Sequence, residues 1–303
     1  MRTLFEDNPI ILAPMAGILD LPLRLTFRKF GWDMTCIGSI DADAVVAGKD
    51  GKLINIVGKE EQTSSHDRPV VIQLMGNNTD VMIEATHILE ERADVFDINL
   101  GCPLKIATCK GWGVSLLQRP EKAIAMVKEL TRATAKPFTA KIRILPQDND
   151  NKILSFAKGL EEAGVSALIV HARTPLQGFS GEVDWNRVRL IKEELTIPVL
   201  GNGGIRSVQD ILSCKESTGC DGVMIGCGAM ENPFLARDFS RYVENGAVAS
   251  TNNFAYLLKF VNEYALLSCA LNGLSLRRYY CRRLLHFFIL RRKINVFVRR
   301  HSG

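Results

Sequence analysis

Apolar positions along the chain fall into two alternating patterns. Short, β-branched runs recur at Ile10–Ala13, Thr35–Ile40, Pro69–Leu74, Val95–Asn99, Pro137–Ile142, Val165–His171, Ile197–Asn202 and Cys220–Gly226. Each is almost continuously apolar, as a strand must be when helices cover both faces of a parallel sheet. Between them, apolar residues return every three or four positions in Asp80–Arg92, Pro120–Ala135, Ile153–Ala163, Trp185–Glu194 and Ser207–Ser217, the period of amphipathic helices. Thr79 or Asp80 is expected to cap the first of these, and Ser207 with Asp210 three residues on reads as an acidic capping box. Eight such runs in about 240 residues predict a closed (β/α)8 TIM barrel in preference to an open doubly wound sheet.

The strand pattern stops near Asn245. Beyond it, Asn252 or Asn253 is placed to cap a helix running to about Leu271, Gly273 to end it, and Ser275 to open another. The predicted organisation is a barrel over 1–244 and a small all-helical domain over 245–303, which a chain of 303 residues accommodates. At 47% hydrophobic and 23% charged residues the chain is not a disordered one, and no repeat of 20–50 residues is evident. Apolar runs fall short of the ~18 residues of a membrane span. The start of the chain, with Glu6, Asp7, Pro9 and Pro14, does not read as a signal peptide, so a cytoplasmic monomer is expected. The eight cysteines (Cys36, Cys102, Cys109, Cys214, Cys220, Cys227, Cys269 and Cys281) contain no Cys-x-x-Cys pair, so neither a disulfide framework nor a metal site is predicted.

Charge is segregated. The net charge is +5, yet no acidic residue follows Glu263, while Arg277, Arg278, Arg282, Arg283, Arg291, Arg292, Lys293, Arg299 and Arg300 do. A mildly acidic body thus carries a basic tail, which suits a phosphate backbone or, as the plainer alternative, a solvated helix face. Tyr279 and Tyr280 could stack on bases, although Leu276, Tyr280, Leu284 and Phe287 also form an apolar stripe at helical spacing.

In a parallel barrel, function sits at the C-terminal ends of the strands. The predicted ends carry Pro14, Met15 and Ala16; Gln73; Asn99 followed by Gly101, Cys102 and Pro103; Lys141; His171 and Arg173; Asn202, Gly203 and Gly204; and Gly226, Cys227 and Gly228. A lysine closing an apolar strand needs a partner at the rim. Glycine-rich turns after strands 7 and 8 are where such barrels commonly hold phosphate, ordinary turns being the alternative. A phosphate pocket there, with a rim lysine and glutamine, fits flavin mononucleotide (FMN). Cys102 leaves its strand in a Gly-Cys-Pro turn and is the leading proton donor. Cys109 competes on the same loop, and Cys36 and Cys220 read as buried core thiols.

Taken in order, Ala13-Pro14-Met15-Ala16-Gly17, Gln73-Leu74-Met75-Gly76, Asn99-Leu100-Gly101-Cys102-Pro103 with Lys105, Gly111-Trp112-Gly113, Lys141-Ile142-Arg143, His171-Ala172-Arg173-Thr174, Asn202-Gly203-Gly204 and Met224-Ile225-Gly226 resemble the tRNA-dihydrouridine synthases. The resemblance implies an FMN barrel with a helical, tRNA-gripping C-terminal domain, in which NADPH reduces FMN, a hydride passes to C6 of a uridine and a cysteine protonates C5. It makes Cys102 the acid. It gives FMN to Pro14, Met15, Ala16, Gln73, Lys141, His171, Asn202, Gly203, Gly204, Gly226 and Cys227, the uracil to Asn99 and Arg173, and the tRNA to Lys105, Arg278, Arg282 and Arg283. The chain departs from the family in two places. Cys227 stands where the family usually has an arginine for the FMN phosphate, which implies weaker flavin retention, and Phe179 stands where a tyrosine is frequent. A small-molecule pyrimidine flavoenzyme and a non-catalytic RNA-binding barrel are the rival readings; the basic tail speaks against the first, and Cys102, Lys141 and His171 against the second.

Overall fold

The structure, a computed structural model, describes residues 4–5, 7–48, 64–146, 150–246 and 254–272. Eight strands, β1 (Ile10–Leu12), β2 (Met34–Asp41), β3 (Val70–Met75), β4 (Val95–Asn99), β5 (Phe138–Arg143), β6 (Ala167–His171), β7 (Val199–Asn202) and β8 (Gly222–Ile225), close in sequence order into one barrel. Every neighbouring pair is parallel, and β1 seals against β8 through Ile10–Val223, Ile11–Met224 and Leu12–Ile225. All eight predicted strands and the TIM-barrel topology are therefore present.

The period of two along each strand separates two apolar regions. One set of alternating residues, including Ile11, Met34, Val71, Val95, Ala167, Ile169, Leu200 and Met224, fills the inside of the barrel as a single buried cluster. The other set faces the helices, where Ile72, Phe96, Ile98, Phe138, Ala140 and Leu168 pack against helical residues such as Met82, Met126, Phe156 and Val188. Gln73, Asp97 and Thr139 belong to the inward set and are register neighbours across β3, β4 and β5. Polar residues that a sheet face would expose are thus delivered into the barrel mouth.

The helices are α1 (Leu21–Lys29), α2 (Ala42–Ala47), α3 (Thr79–Leu89), α4 (Lys105–Thr108), α5 (Pro120–Ala133), α6 (Asp150–Glu162), α7 (Trp185–Glu194), α8 (Val208–Thr218), α9 (Cys227–Glu231), α10 (Leu235–Asn245) and α11 (Phe254–Asn272). Ser207 and Asp210 form the expected capping box. The cap of α3 differs from expectation: Asn78 Oδ1 accepts from the backbone of Asp80 and Val81, because the residue before Thr79 already has the extended backbone a cap needs. The chain leaves β8 directly into α9 at Cys227, and α10 follows. Helix α1 was not anticipated, although Asp20 caps it and Pro22 occupies its first turn.

α11 corresponds to the predicted first C-terminal helix. It lies on α1 and the start of α10, with Phe260 5.1 Å from Phe27 and 5.4 Å from Phe30, ring centre to ring centre. Tyr264 Oη donates to the α1 cap Asp20 at 3.1 Å. Asn252, Asn253, Gly273, the helix expected from Ser275 and the arginines Arg278, Arg282 and Arg283 lie outside the described residues. Among the described residues no helix is long and apolar enough to cross a membrane.

Candidate active site

The mouth is built first from a closed polar network on β2–β5. Asp97 is fully buried on β4, and its two carboxylate oxygens are both occupied: Thr139 Oγ1 donates at 2.6 Å and Gln73 Nε2 at 2.7 Å. That contact fixes the Gln73 amide, whose Oε1 then accepts from Asn99 Nδ2 at 2.9 Å and from Ser39 Oγ. Burial pushes the Asp97 carboxyl up to about 6, against the opposing pull of its two hydrogen bonds and of Lys141. The neighbouring Lys141 is pushed down to about 8, first by burial and then by the like charge of Arg143, while Asp97 pulls it back. Its Nζ donates to Asn202 Oδ1 at 2.6 Å, bridging β5 to β7, and Asn202 Nδ2 donates onward to the Met224 carbonyl at 2.7 Å.

The Cys102 turn rests on this network. Asn99 Oδ1 accepts from the backbone N–H of Gly101 at 3.1 Å and of Cys102 at 2.9 Å, so one carboxamide ties the turn to Gln73 and Ser39. The Cys102 carbonyl accepts from Val114 N at 3.1 Å, and Gly113, at φ +58°, lets that segment approach where any Cβ would strike the Cys102 backbone. From below, Arg143 Nε donates to the Gly101 carbonyl at 2.8 Å and its Nη1 to the Gly178 carbonyl at 2.6 Å, pinning the loops after β4 and β6 together. Cys102 is half-buried at the mouth, and the charges of Lys141 and Arg143 both act on it. Cys109 is exposed at the end of α4, and Lys105 is exposed at its start.

The opposite side, on β6–β8, is open. His171 is buried, yet its Nε2 has no hydrogen-bond partner. Burial, reinforced by the charges of Lys141, Arg143 and Arg173, keeps the ring neutral. A Cβ on Gly203 would lie 2.8 Å from that Nε2, and Gly203 and Gly204 run at φ +108° and +71°, a turn only glycine adopts without strain. Gly228 packs so closely on the Ile205 carbonyl that the turns after β7 and β8 form one floor. Pro14 and Met15 are half-buried in the loop after β1, and Ala16 presses its backbone against Gly38, where a Cβ would lie 2.7 Å away. An unpartnered imidazole nitrogen beside a left-handed glycine turn, with a half-buried ammonium across the mouth, suits the polar edges of FMN and the glycine turns suit its phosphate.

The strands thus gather Gln73, Asn99, Cys102, Lys141, His171, Asn202, Gly203, Gly204, Gly226 and Cys227 at one mouth. Arg173 faces the Gly203–Gly204 turn, with Nη1 3.4 Å and Nη2 3.7 Å from where the two Cβ atoms would stand. Sequence reasoning missed Asp97, Arg143 and Ser39 as site residues. The signal for the first two was present: Asp97 is a charge inside an otherwise apolar strand, and Arg143 follows Lys141 at the spacing that keeps both on the inner face. Among the described residues, no group of three or more His, Cys, Asp or Glu is placed to hold a metal ion.

Fold and mouth together define a (β/α)8-barrel protein whose chemistry-bearing side chains converge at the C-terminal ends of its strands. The chain belongs to the dihydrouridine synthase (Dus) family, whose pattern it matches over residues 11–284. It is 32% identical over 256 residues to "Probable tRNA-dihydrouridine synthase 1" of Synechocystis sp., covering 84% of this chain and 71% of that protein. It is 33% identical over 269 residues to "Probable tRNA-dihydrouridine synthase" of Aquifex aeolicus (86% and 82%). A third relative, "tRNA-dihydrouridine(16) synthase" of Neisseria meningitidis serogroup B, is 33% identical over 265 residues (86% and 79%). Among solved structures, FabK from Thermotoga maritima aligns with a TM-score of 0.49 at 16% identity, covering 76% of this chain and 62% of that one.

Proposed function

We propose that this protein is an FMN-dependent tRNA-dihydrouridine synthase that uses NADPH to saturate the C5–C6 bond of a uridine in tRNA. The observation that carries the reading is the meeting, at one barrel mouth, of the Cys102 turn, the half-buried Lys141 and the unpartnered His171 Nε2 over the Gly203–Gly204 turn. Pro14, Met15, Ala16, Gln73, Lys141, His171, Asn202, Gly203, Gly204, Gly226 and Cys227 hold the flavin. When bound, FMN would supply hydride chemistry at C6 of the uracil, with NADPH as the source of the electrons.

Cys102 supplies the other half of the addition. Its thiol gives a proton to C5 and regains one from solvent, so a hydride and a proton together convert the double bond to a single bond. The turn that presents the thiol is held from Asn99, Val114 and Arg143, which keeps its reach to the mouth constant. Asn99 borders the uracil and fastens the turn with the same carboxamide. Lys141, cationic below about pH 8, would hold positive charge at the flavin site and favour an anionic form of the ring. The uridine must leave its stack to reach the mouth. Lys105 and the basic C-terminal residues Arg278, Arg282 and Arg283 meet the tRNA backbone, contacts that position without reading sequence.

The test is to map dihydrouridine in tRNA from cells lacking this protein. Loss of the modification at one or more positions, restored by the wild-type chain and not by Cys102→Ala, is expected. Unchanged dihydrouridine at every position would refute the proposal.

A further inference from the structure

Arg173 is the charged group of the mouth that the rest of the site leaves idle. It lies in the loop after β6, two residues beyond His171, half-buried, and only its Nε is engaged, donating to the Gly181 carbonyl at 3.0 Å. Among the described residues no carboxylate pairs with it. Glu231 pairs with the neighbouring Arg206, at 3.3 Å. Its remaining two nitrogens stand over Gly203 and Gly204, 3.4 and 3.7 Å from where side chains there would begin. Its electrostatic neighbours are Arg206, of like charge, and the exposed thiol of Cys227.

A guanidinium held half out of water, unpaired and pressed by a second cation, is stabilised by an anion placed between its fork and the backbone beneath. The turn beneath bears no side chain to obstruct one. His171 Nε2, buried and unpartnered, opens onto the same space from the barrel side, 2.8 Å from the Gly203 Cβ position. Cys227, the first residue of α9, stands exposed nearby. We propose that Arg173 is the cation that binds the phosphate of the mononucleotide and so makes this chain select FMN over unphosphorylated riboflavin. The assignment rests on the flavin reading above and moves Arg173 from the uracil, where its motif had placed it, to the far end of the cofactor. It also explains how a chain with Cys227 retains a phosphate-bearing cofactor: the positive charge comes from the end of β6.

The test is a titration of the flavin-free full-length protein with FMN and with riboflavin, followed by quenching of flavin fluorescence, which needs no tRNA and no turnover. Wild type is expected to favour FMN strongly. Arg173→Ala should reduce that preference by about ten- to a hundredfold, the range for one charge-assisted hydrogen-bonding group, and leave the riboflavin Kd unchanged. Arg173→Lys should fall between, and adding Cys227→Arg to Arg173→Ala should restore the preference. If Arg173→Ala does not fold, Arg173→Gln, which keeps the length of the side chain, takes its place in the same comparison. An unaltered FMN-to-riboflavin ratio in the Arg173 variants, or no preference in wild type, overturns the assignment while leaving flavin binding intact. If wild type binds neither flavin, the cofactor reading itself fails, and this assignment with it.

Discussion

On the β3–β5 side of the barrel mouth, each polar group closes on another: Asp97 takes Thr139 and Gln73, Gln73 takes Asn99 and Ser39, and Asn99 takes the Cys102 turn. On the β6–β8 side the donors stop short. His171 Nε2 meets nothing, and Arg173 carries two nitrogens over bare glycine. The first arrangement fixes where a proton and a positive charge will stand, because a satisfied network in a low-dielectric interior is stiff. The second offers hydrogen bonds and charge to something the chain does not contain. The proposed function gives the reaction to the closed side and the ligand to the open one, so substitutions on the two sides should fail in different ways.

The sharpest division is expected at Cys102. Cys102→Ala should lower dihydrouridine formation by about a hundredfold or more, the scale of a lost general acid, while FMN binding and its bleaching by NADPH stay as in wild type. Product formation at the wild-type rate would move the proton to Cys109 or to solvent and dissolve the contrast between the sides.

Next in size is a pH effect confined to the closed side. Burial holds Lys141 down to about 8, so its charge is present below that pH and is lost above it; burial holds Asp97 up to about 6, so its charge is lost below that pH. The rate with tRNA should follow a bell between those limits. Lys141→Arg should remove the alkaline limb, since a guanidinium keeps its proton, and Asp97→Asn the acid one. A flat profile from pH 5 to pH 9 would show that neither charge matters to the reaction.

Asp97→Asn tests the stiffness directly. An amide in place of the carboxylate sets its own N–H against Gln73 or Thr139, leaving a buried donor unmet at about 1–3 kcal/mol. A lower melting temperature in the flavin-free protein and a slower reaction are expected together. Full stability would mean that the network rearranges without penalty.

The smallest effect is expected at Cys227, on the open side. With Arg173 already over the glycine turn, Cys227→Arg in the wild-type background should tighten FMN less than tenfold, one hydrogen-bonding contact being worth about 1 kcal/mol net when another cation shares the anion. A gain of a hundredfold or more, measured by the same fluorescence titration, would show that Arg173 leaves the phosphate largely unneutralised.

Much of this architecture can be read directly from residue order. All eight apolar runs are strands, because a segment covered by helices on both faces must be apolar throughout, and no competing pattern has that composition. The polar strand ends are legible for the same reason, as interruptions of those runs. What escaped is instructive. Helix α1 has only nine residues and a proline in its first turn, so its period was too brief to stand out. Asp97 lay in plain view inside Val95–Asn99, but a strand residue's partners are on other strands, and Thr139 and Gln73 are distant in sequence. Arg173 was legible as a site residue, since its motif indicates the end of β6, but the direction its guanidinium takes from there, over the Gly203–Gly204 turn, was not.

The sequence alone determined that the chain is a parallel barrel, that its reactive groups sit at one end of it, and which family it belongs to, because apolar period, glycine turns and strand-terminal motifs are local properties of residue order. Tertiary structure decided which groups meet. The shear of the closed barrel sets Gln73 beside Asp97 and Lys141 within reach of Asn202, and the close approach of the turns after β7 and β8 leaves the Arg173 fork above bare backbone. Distances between strands are fixed only when the sheet closes, and those distances decide which donors, like Gln73 Nε2, find a partner and which nitrogens, like His171 Nε2, do not.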